Sequence, residues 1–280
     1  MTLTIFMAVL AAAAMHAAWN AIIKIRTDRF ASMSLTTLGM AVAATPVLPF
    51  VAFPALSVWL WIIASVIIHV GYRLFLVKAY DAGDLAQTYA LARGTAPLLT
   101  TVSAFLLFGE VLRGAEIGGI VLLSCGTFLM SFRGGGHARF NQRAVGFALI
   151  TSMFIASYTL TDGYGARLAD GAASYASWLF FCDGLCSIVI GFLYRGRSLL
   201  PVLTHEWKTG LLTGALSAGS YGIVLWAMTQ APIASVAALR EASILFAMLI
   251  SVYILGEGTG PWRIVAAILI GSGVVALRLG

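Results

Sequence analysis

A histidine and an amide one helical turn apart, His16 and Asn20, stand in an otherwise apolar stretch near the start of the chain. Residues four apart share a helix face, so these two suit contact with the polar group of a small solute, or a hydrogen bond to a neighbouring helix. A second cluster, His69, Tyr72 and Arg73, occupies positions i, i+3 and i+4, with Lys78 further along. Long basic side chains reach back to the polar boundary, which is where Arg73 and Lys78 are expected, while His69 sits mid-segment and cannot follow. Asp183, at the midpoint of its apolar run, reads as the deepest carboxylate. Three readings stand for it: protonated, hydrogen-bonded to a neighbouring helix, or a member of a proton relay. Arg93 and Arg240 complete the set of embedded charges, and an arginine offers a planar fork of donors to a carboxylate.

Such groups need a scaffold, and composition says which. Of 280 residues, 60% are hydrophobic and 10% charged, against roughly a quarter charged in soluble domains. Ten helices of about 21 residues, each able to cross a ~30 Å hydrocarbon core, use about 210 positions and leave no room for a soluble domain. The fold expected is therefore an all-α integral membrane protein. The formal charge of +6 accompanies a mean hydropathy of +0.95 and lies mainly in short loops, which points to membrane orientation and away from nucleic acid. Cys125, Cys182 and Cys186 lie in apolar runs without a CxxC pair, so neither a disulfide framework nor a metal site is expected. Met1 to Ala14 lacks the basic start of a cleaved leader and reads as the first membrane helix.

Turn residues and charges divide the chain into apolar segments at 3–23, 31–53, 58–80, 85–108, 115–132, 144–166, 172–194, 208–229, 234–255 and 262–279. Trp59, Trp61, Trp207 and Trp262 stand at segment starts, where an indole can be half in lipid. Ten of the 17 basic residues fall in odd-numbered loops: Lys24, Arg26, Arg29, Arg133, Arg139, Arg143, Arg195, Arg197, Lys208 and Arg263. Arg113, Arg167 and Arg278 fall in even loops or the tail. The positive-inside rule then makes the odd loops cytoplasmic and puts both termini outside. Small-residue spacings at Gly114/Gly118 and Gly210/Gly214 permit close helix approach. Gly134 to Gly136 form a loop, not a phosphate cradle, since no Lys-Ser/Thr follows.

Sliding the chain on itself by 147 residues aligns Arg93 with Arg240, Leu98 with Leu245, Gly109 with Gly256, Glu110 with Glu257, Leu122 with Leu269 and Gly126 with Gly273. Two five-helix repeats follow, 1–133 and 144–280, joined by a linker over 134–143. Because five is odd, the second enters the membrane inverted, the usual architecture of secondary transporters with a midplane site. The repeat also suggests a double gate, with Arg240 near Glu110 in one leaflet and Arg93 near Glu257 in the other. The alternatives are local pairing of the arginines and glutamates that merely stabilise the following helix start. Pro97 is expected to bend the fourth helix, while Ile244 takes its place in the ninth and leaves a transferred kink in doubt.

HAAWNAIIK (His16 to Lys24), ARGTAPLLTTVSAFLLFGE (Ala92 to Glu110) and its echo LREASILFAMLISVYILGE (Leu239 to Glu257) resemble the EamA-type drug/metabolite transporter superfamily. Within it the chain is similar to bacterial exporters of aromatic and other neutral amino acids. The resemblance implies a multi-pass inner-membrane transporter of small molecules working without a cofactor; it leaves the oligomeric state open, a monomer being compatible. Candidate substrate contacts are His16, Trp19, Asn20, His69, Tyr72, Tyr89, Tyr158, Trp178, Tyr221 and Trp226, since the aromatic rings combine apolar faces with a polar edge. Two other functions are weighed against this. Proton-coupled drug efflux, as in shorter relatives, uses a glutamate in the first helix; here that helix has no acid and Asp183 would have to substitute. A membrane enzyme on lipid-linked substrates lacks an acid/base or metal constellation, and neither a Walker motif nor GxSxG is present.

Overall fold

The computed structural model describes residues 1–24, 29–83, 85–132, 141–254, 256, 258 and 260–280. Every regular element among them is helical: α1 Leu3–Lys24, α2 Arg29–Ala44, α3 Leu56–Ala82, α4 Leu85–Phe108, α5 Gly114–Phe132, α6 Gln142–Leu168, α7 Ala172–Arg195, α8 Leu199–His205, α9 Trp207–Gln230, α10 Ile233–Arg240, α11 Ser243–Tyr253 and α12 Pro261–Leu279. Among the described residues, nine segments are long and apolar enough to cross a membrane, with α10 and α11 counted as one, and the apolar part of α5, Gly114–Met130, is shorter. Backbone groups without water must bond within their own segment, which leaves helices as the open-chain solution. The apolar segments and the helices agree at most ends within two residues.

Two differences have local causes. The second segment stops being α-helical at Ala44 and continues as a 3-10 turn, Thr45–Phe50, where Pro46 and Pro49 cannot donate the bonds an α-helix needs. The ninth segment, expected unbroken over 234–255, divides into α10 and α11. Its junction is tightened by i→i−3 bonds from Glu241 N to Ala238 O and from Ala242 N to Leu239 O. The fourth runs through Pro97 as one helix, α4. The short α8 lies in the seventh loop and was not foreseen.

The halves interlock. α1 packs on α9 and α11, α2 on α7 and α9, α3 and α4 on α6, and α5 on α12. Lipid-embedded helices attract one another through close packing, with small residues at the seam. A Cβ at Gly39 of α2 would collide with the Gly210 carbonyl of α9, and one at Gly214 with the Gly39 backbone, so these helices cross backbone to backbone as the Gly210/Gly214 spacing suggests. Gly114 and Gly118 face open space instead. The α5 seam uses Gly119 and Gly126, against Gly273, Ala266 and Ile270 of α12. Phe50, Leu56, Val111 and Leu193 are among the large apolar side chains left exposed, as a lipid-facing surface requires.

Candidate functional site

Both halves enclose a cavity of about 150 Å³. α1 contributes His16, Trp19 and Asn20; α2 contributes Met33, Thr36, Thr37 and Met40; α3 contributes His69, Tyr72 and Arg73. The rest of the wall is Tyr89 and Arg93 of α4, Tyr158 of α6, Leu179, Phe180 and Asp183 of α7, Ser217, Ser220 and Tyr221 of α9, and Arg240 of α10. Eight of the ten candidate substrate contacts therefore meet in one place, together with Arg93, Arg240 and Asp183. Asn20 lies near the end of α1, and Met33 and Tyr89 near the starts of α2 and α4, so the lining extends toward the odd-loop end of the bundle.

Trp178 and Trp226 are not part of this lining. Each is five residues from a lining residue on its own helix, Asp183 and Tyr221, which is about 140° round the axis at 3.6 residues per turn. Trp178 packs edge-on against Phe53 and Trp59, with ring centroids 5.1 and 5.5 Å away. Trp226 borders a separate groove with Ala43 and Gly222 and is exposed.

The polar wall is ordered by named contacts. Asn20 Nδ2 donates to His16 O at 2.8 Å. His16 lies edge-on to Trp19 at 5.1 Å. His69 stacks on Tyr158 at 4.3 Å, and its Nδ1 is 3.0 Å from Ser65 O and 3.1 Å from Ser65 Oγ. Arg73 does not extend to the membrane boundary: Nη1 and Nη2 donate to Asp183 Oδ2 and Oδ1 at 2.8 and 2.6 Å. Such two-pronged charge-assisted bonds are strong and directional, and they occupy both oxygens of the expected relay carboxylate.

Sequence reasoning missed Asp162. It is 0% exposed, against 7% for Asp183, and is the more buried of the two carboxylates. Asp162 accepts from Tyr175 Oη at 2.9 Å and from Tyr221 Oη at 2.6 Å. The available signal was an acid within an apolar segment, one helical turn after Tyr158. Glu241 follows Arg240 directly, so local pairing of the two is the sequence expectation. It pairs with Arg93 of the other half, Nε to Oε2 at 3.1 Å, and not with its neighbour Arg240.

Arg240 is 4% exposed and has no carboxylate among the described residues within ion-pair distance. Its guanidinium carbon lies 5.7 Å from the Tyr221 ring centroid, a cation-π contact, and its Nε has no hydrogen-bond partner. Arg93 lies 5.9 Å from the Tyr89 ring centroid and keeps a buried, unpartnered Nη2. The outer pair suggested by the repeat, Arg240 with Glu110, is not formed in this conformation. Glu110 pairs with Arg167 at 2.8 Å and accepts from Ile233 N at 2.9 Å, at the start of α10. Negative charge is favourable at a helix N-terminus. Arg167 also donates to Met228 O and Ala231 O at 2.8 and 2.9 Å, and Glu116 accepts from Ser235 Oγ at 2.9 Å. These bonds tie α4, α5, α6, α9 and α10 together at the even-loop end. Glu257, the expected partner of Arg93, lies outside the described residues.

None of the curated proteins matches the sequence. A solved crystal structure, described only as that of a protein, covers 99% of this chain and 96% of its own, with a TM-score of 0.76 at 18% identity; that likeness is one of fold. The model of the EamA-like transporter family matches residues 3–132 and 142–279. With one match over each repeat and an interlocked helical bundle around a shared cavity, the chain belongs to the EamA-like transporter family, membrane transporters of small solutes.

Proposed function

We propose that the protein exports neutral and aromatic amino acids by alternating access. The observation that carries this reading is the cavity between the halves. It is walled by Trp19, Tyr72, Tyr89, Tyr158, Phe180 and Tyr221 and edged by imidazole, amide and hydroxyl groups. At about 150 Å³ it is near the size of an engineered apolar cavity that takes benzene, which suits a one-ring or branched aliphatic side chain. The lining reaches toward the odd-loop end, while Glu110, Arg167 and the start of α10 are bonded at the other. With the basic odd loops cytoplasmic and the termini outside in a bacterial-type inner membrane, this conformation would load from the cytoplasm. Release would follow when the Glu110–Arg167 closure opens and the odd-loop end shuts.

Efflux of cationic drugs has less support, because both oxygens of Asp183, the one carboxylate among the described lining residues, are already bonded to Arg73. The test is purified protein in liposomes, assayed for uptake of labelled phenylalanine, leucine, methionine and a cationic dye, with and without a pH gradient. Amino acids are expected to enter and the dye is not. Uptake of the dye without any amino acid would replace this reading with drug efflux.

A further inference from the structure

We infer that the cavity recognises its substrate by a carboxylate held between Arg240 and Arg93, and that the substrate's amino group is dispensable. This rests on the transport reading but reaches past amino acids to monocarboxylates that lack the amine.

A buried ion pair tolerates desolvation because its partner compensates it, and an uncompensated buried charge is strongly unfavourable. Arg240 is in that second condition. It is 4% exposed, it forms no ion pair with a described carboxylate, its guanidinium rests over the face of Tyr221, and its Nε is unpartnered. Arg93 from the opposite half adds an unpartnered Nη2, its Nε being engaged by Glu241. Both side chains line the same cavity. Two guanidinium groups lining one cavity, each with a donor left unpartnered, call for an acceptor bearing negative charge, and the planar fork of arginine matches a carboxylate.

The opposite charge has no equivalent seat. Asp183 is closed by Arg73 on both oxygens. Asp162 is 0% exposed and accepts from Tyr175 and Tyr221. A substrate ammonium would meet Asn20, tyrosine hydroxyls and an Asp183 already bonded to Arg73, whereas its carboxylate would meet cations. The aromatic wall supplies the remaining contact to the side chain and selects for apolar character.

The test uses the full chain in detergent or nanodiscs and four probes: phenylalanine, 3-phenylpropionate, phenethylamine and inorganic phosphate. Binding is read by calorimetry and by Trp19 fluorescence against a Trp19→Phe control. 3-Phenylpropionate is expected to bind within about threefold of phenylalanine. Phenethylamine should bind roughly tenfold to a hundredfold more weakly, the loss set by a charged hydrogen bond. Arg240→Gln should weaken 3-phenylpropionate by a similar factor and leave phenethylamine unchanged, with Arg240→Lys intermediate because it keeps the charge and loses the fork.

Without ligand, Arg240→Gln should melt no lower than the natural chain, since it removes an uncompensated charge; a purely structural arginine would leave a less stable protein. The inference is overturned if phenethylamine binds as well as 3-phenylpropionate, or if Arg240→Gln leaves the affinity for 3-phenylpropionate unchanged. It is also overturned if inorganic phosphate displaces 3-phenylpropionate at equal concentration, which would point to phosphate esters. Binding of 3-phenylpropionate without phenylalanine keeps the carboxylate anchor and removes the amino-acid reading. Phenylalanine and phenethylamine binding alike keeps the latter and removes the anchor. A folded protein that binds neither phenylalanine nor 3-phenylpropionate removes both.

Discussion

α4 and the broken α10–α11 segment are related by the internal repeat, yet they solve different problems. Both carry an arginine at the same register, Arg93 and Arg240, and both end in a glycine with positive φ, +64° at Gly109 and +69° at Gly256. A side chain would be strained at either glycine, so the backbone logic of the repeat is kept. The partners are not. α4 passes Pro97 unbroken, while its counterpart breaks at Glu241 and Ala242 without a proline. The break turns Glu241 onto Arg93 of the other half and leaves Arg240 facing the cavity. Duplication preserved where the charges stand along each helix, while divergence decided which of them is compensated.

The sharpest way to break this asymmetry is Glu241→Gln. It would leave Arg93 buried without a counter-charge, a loss of roughly 3 to 5 kcal/mol, seen as a large fall in the melting temperature and loss of transport. Asp183→Asn removes one prong from a pair whose side chains are 16% and 11% exposed. A smaller cost of roughly 2 kcal/mol follows after screening by the wet cavity, and exchanging Arg73 and Asp183 should restore part of the transport rate. Glu110→Gln weakens a bond to the more exposed Arg167 by roughly 1 kcal/mol. A two-state equilibrium then shifts toward an open even-loop end, which labelling of a cysteine placed at Asp170 should report as faster modification. Pro97→Ala is expected to change stability by less than about 1 kcal/mol with transport retained; abolished transport would show that α4 must bend during the cycle.

Hydropathy is local, so the ten segments and their ends could be read directly from residue order. The cavity was legible where a single helix determines the face, as for His16 with Asn20 and for His69 with Tyr72. It was not legible where the rotation of a helix against its neighbours decides, which is why Trp178 and Trp226 were misplaced by some 140°. Partner choice was hidden for the same reason. Arg73 has a stem long enough to reach the lipid boundary, and only the packing of α3 near α7 shows that Asp183 is closer. Asp162 shows in the sequence as an acid within an apolar segment, but its partners do not, because its two tyrosines come from α7 and α9.

The glycine seams bear on how the bundle can move. Gly39 against Gly210 and Gly214 fastens α2 to α9, and Gly119 against Gly273 fastens α5 to α12. Each seam joins a helix from one repeat to a helix from the other, with main chains so close that a Cβ would not fit between them. If these seams hold throughout transport, the bodies that pivot are not the two duplicated halves. Each must be a mosaic of both, so the line along which the molecule flexes runs across its ancestry instead of along it.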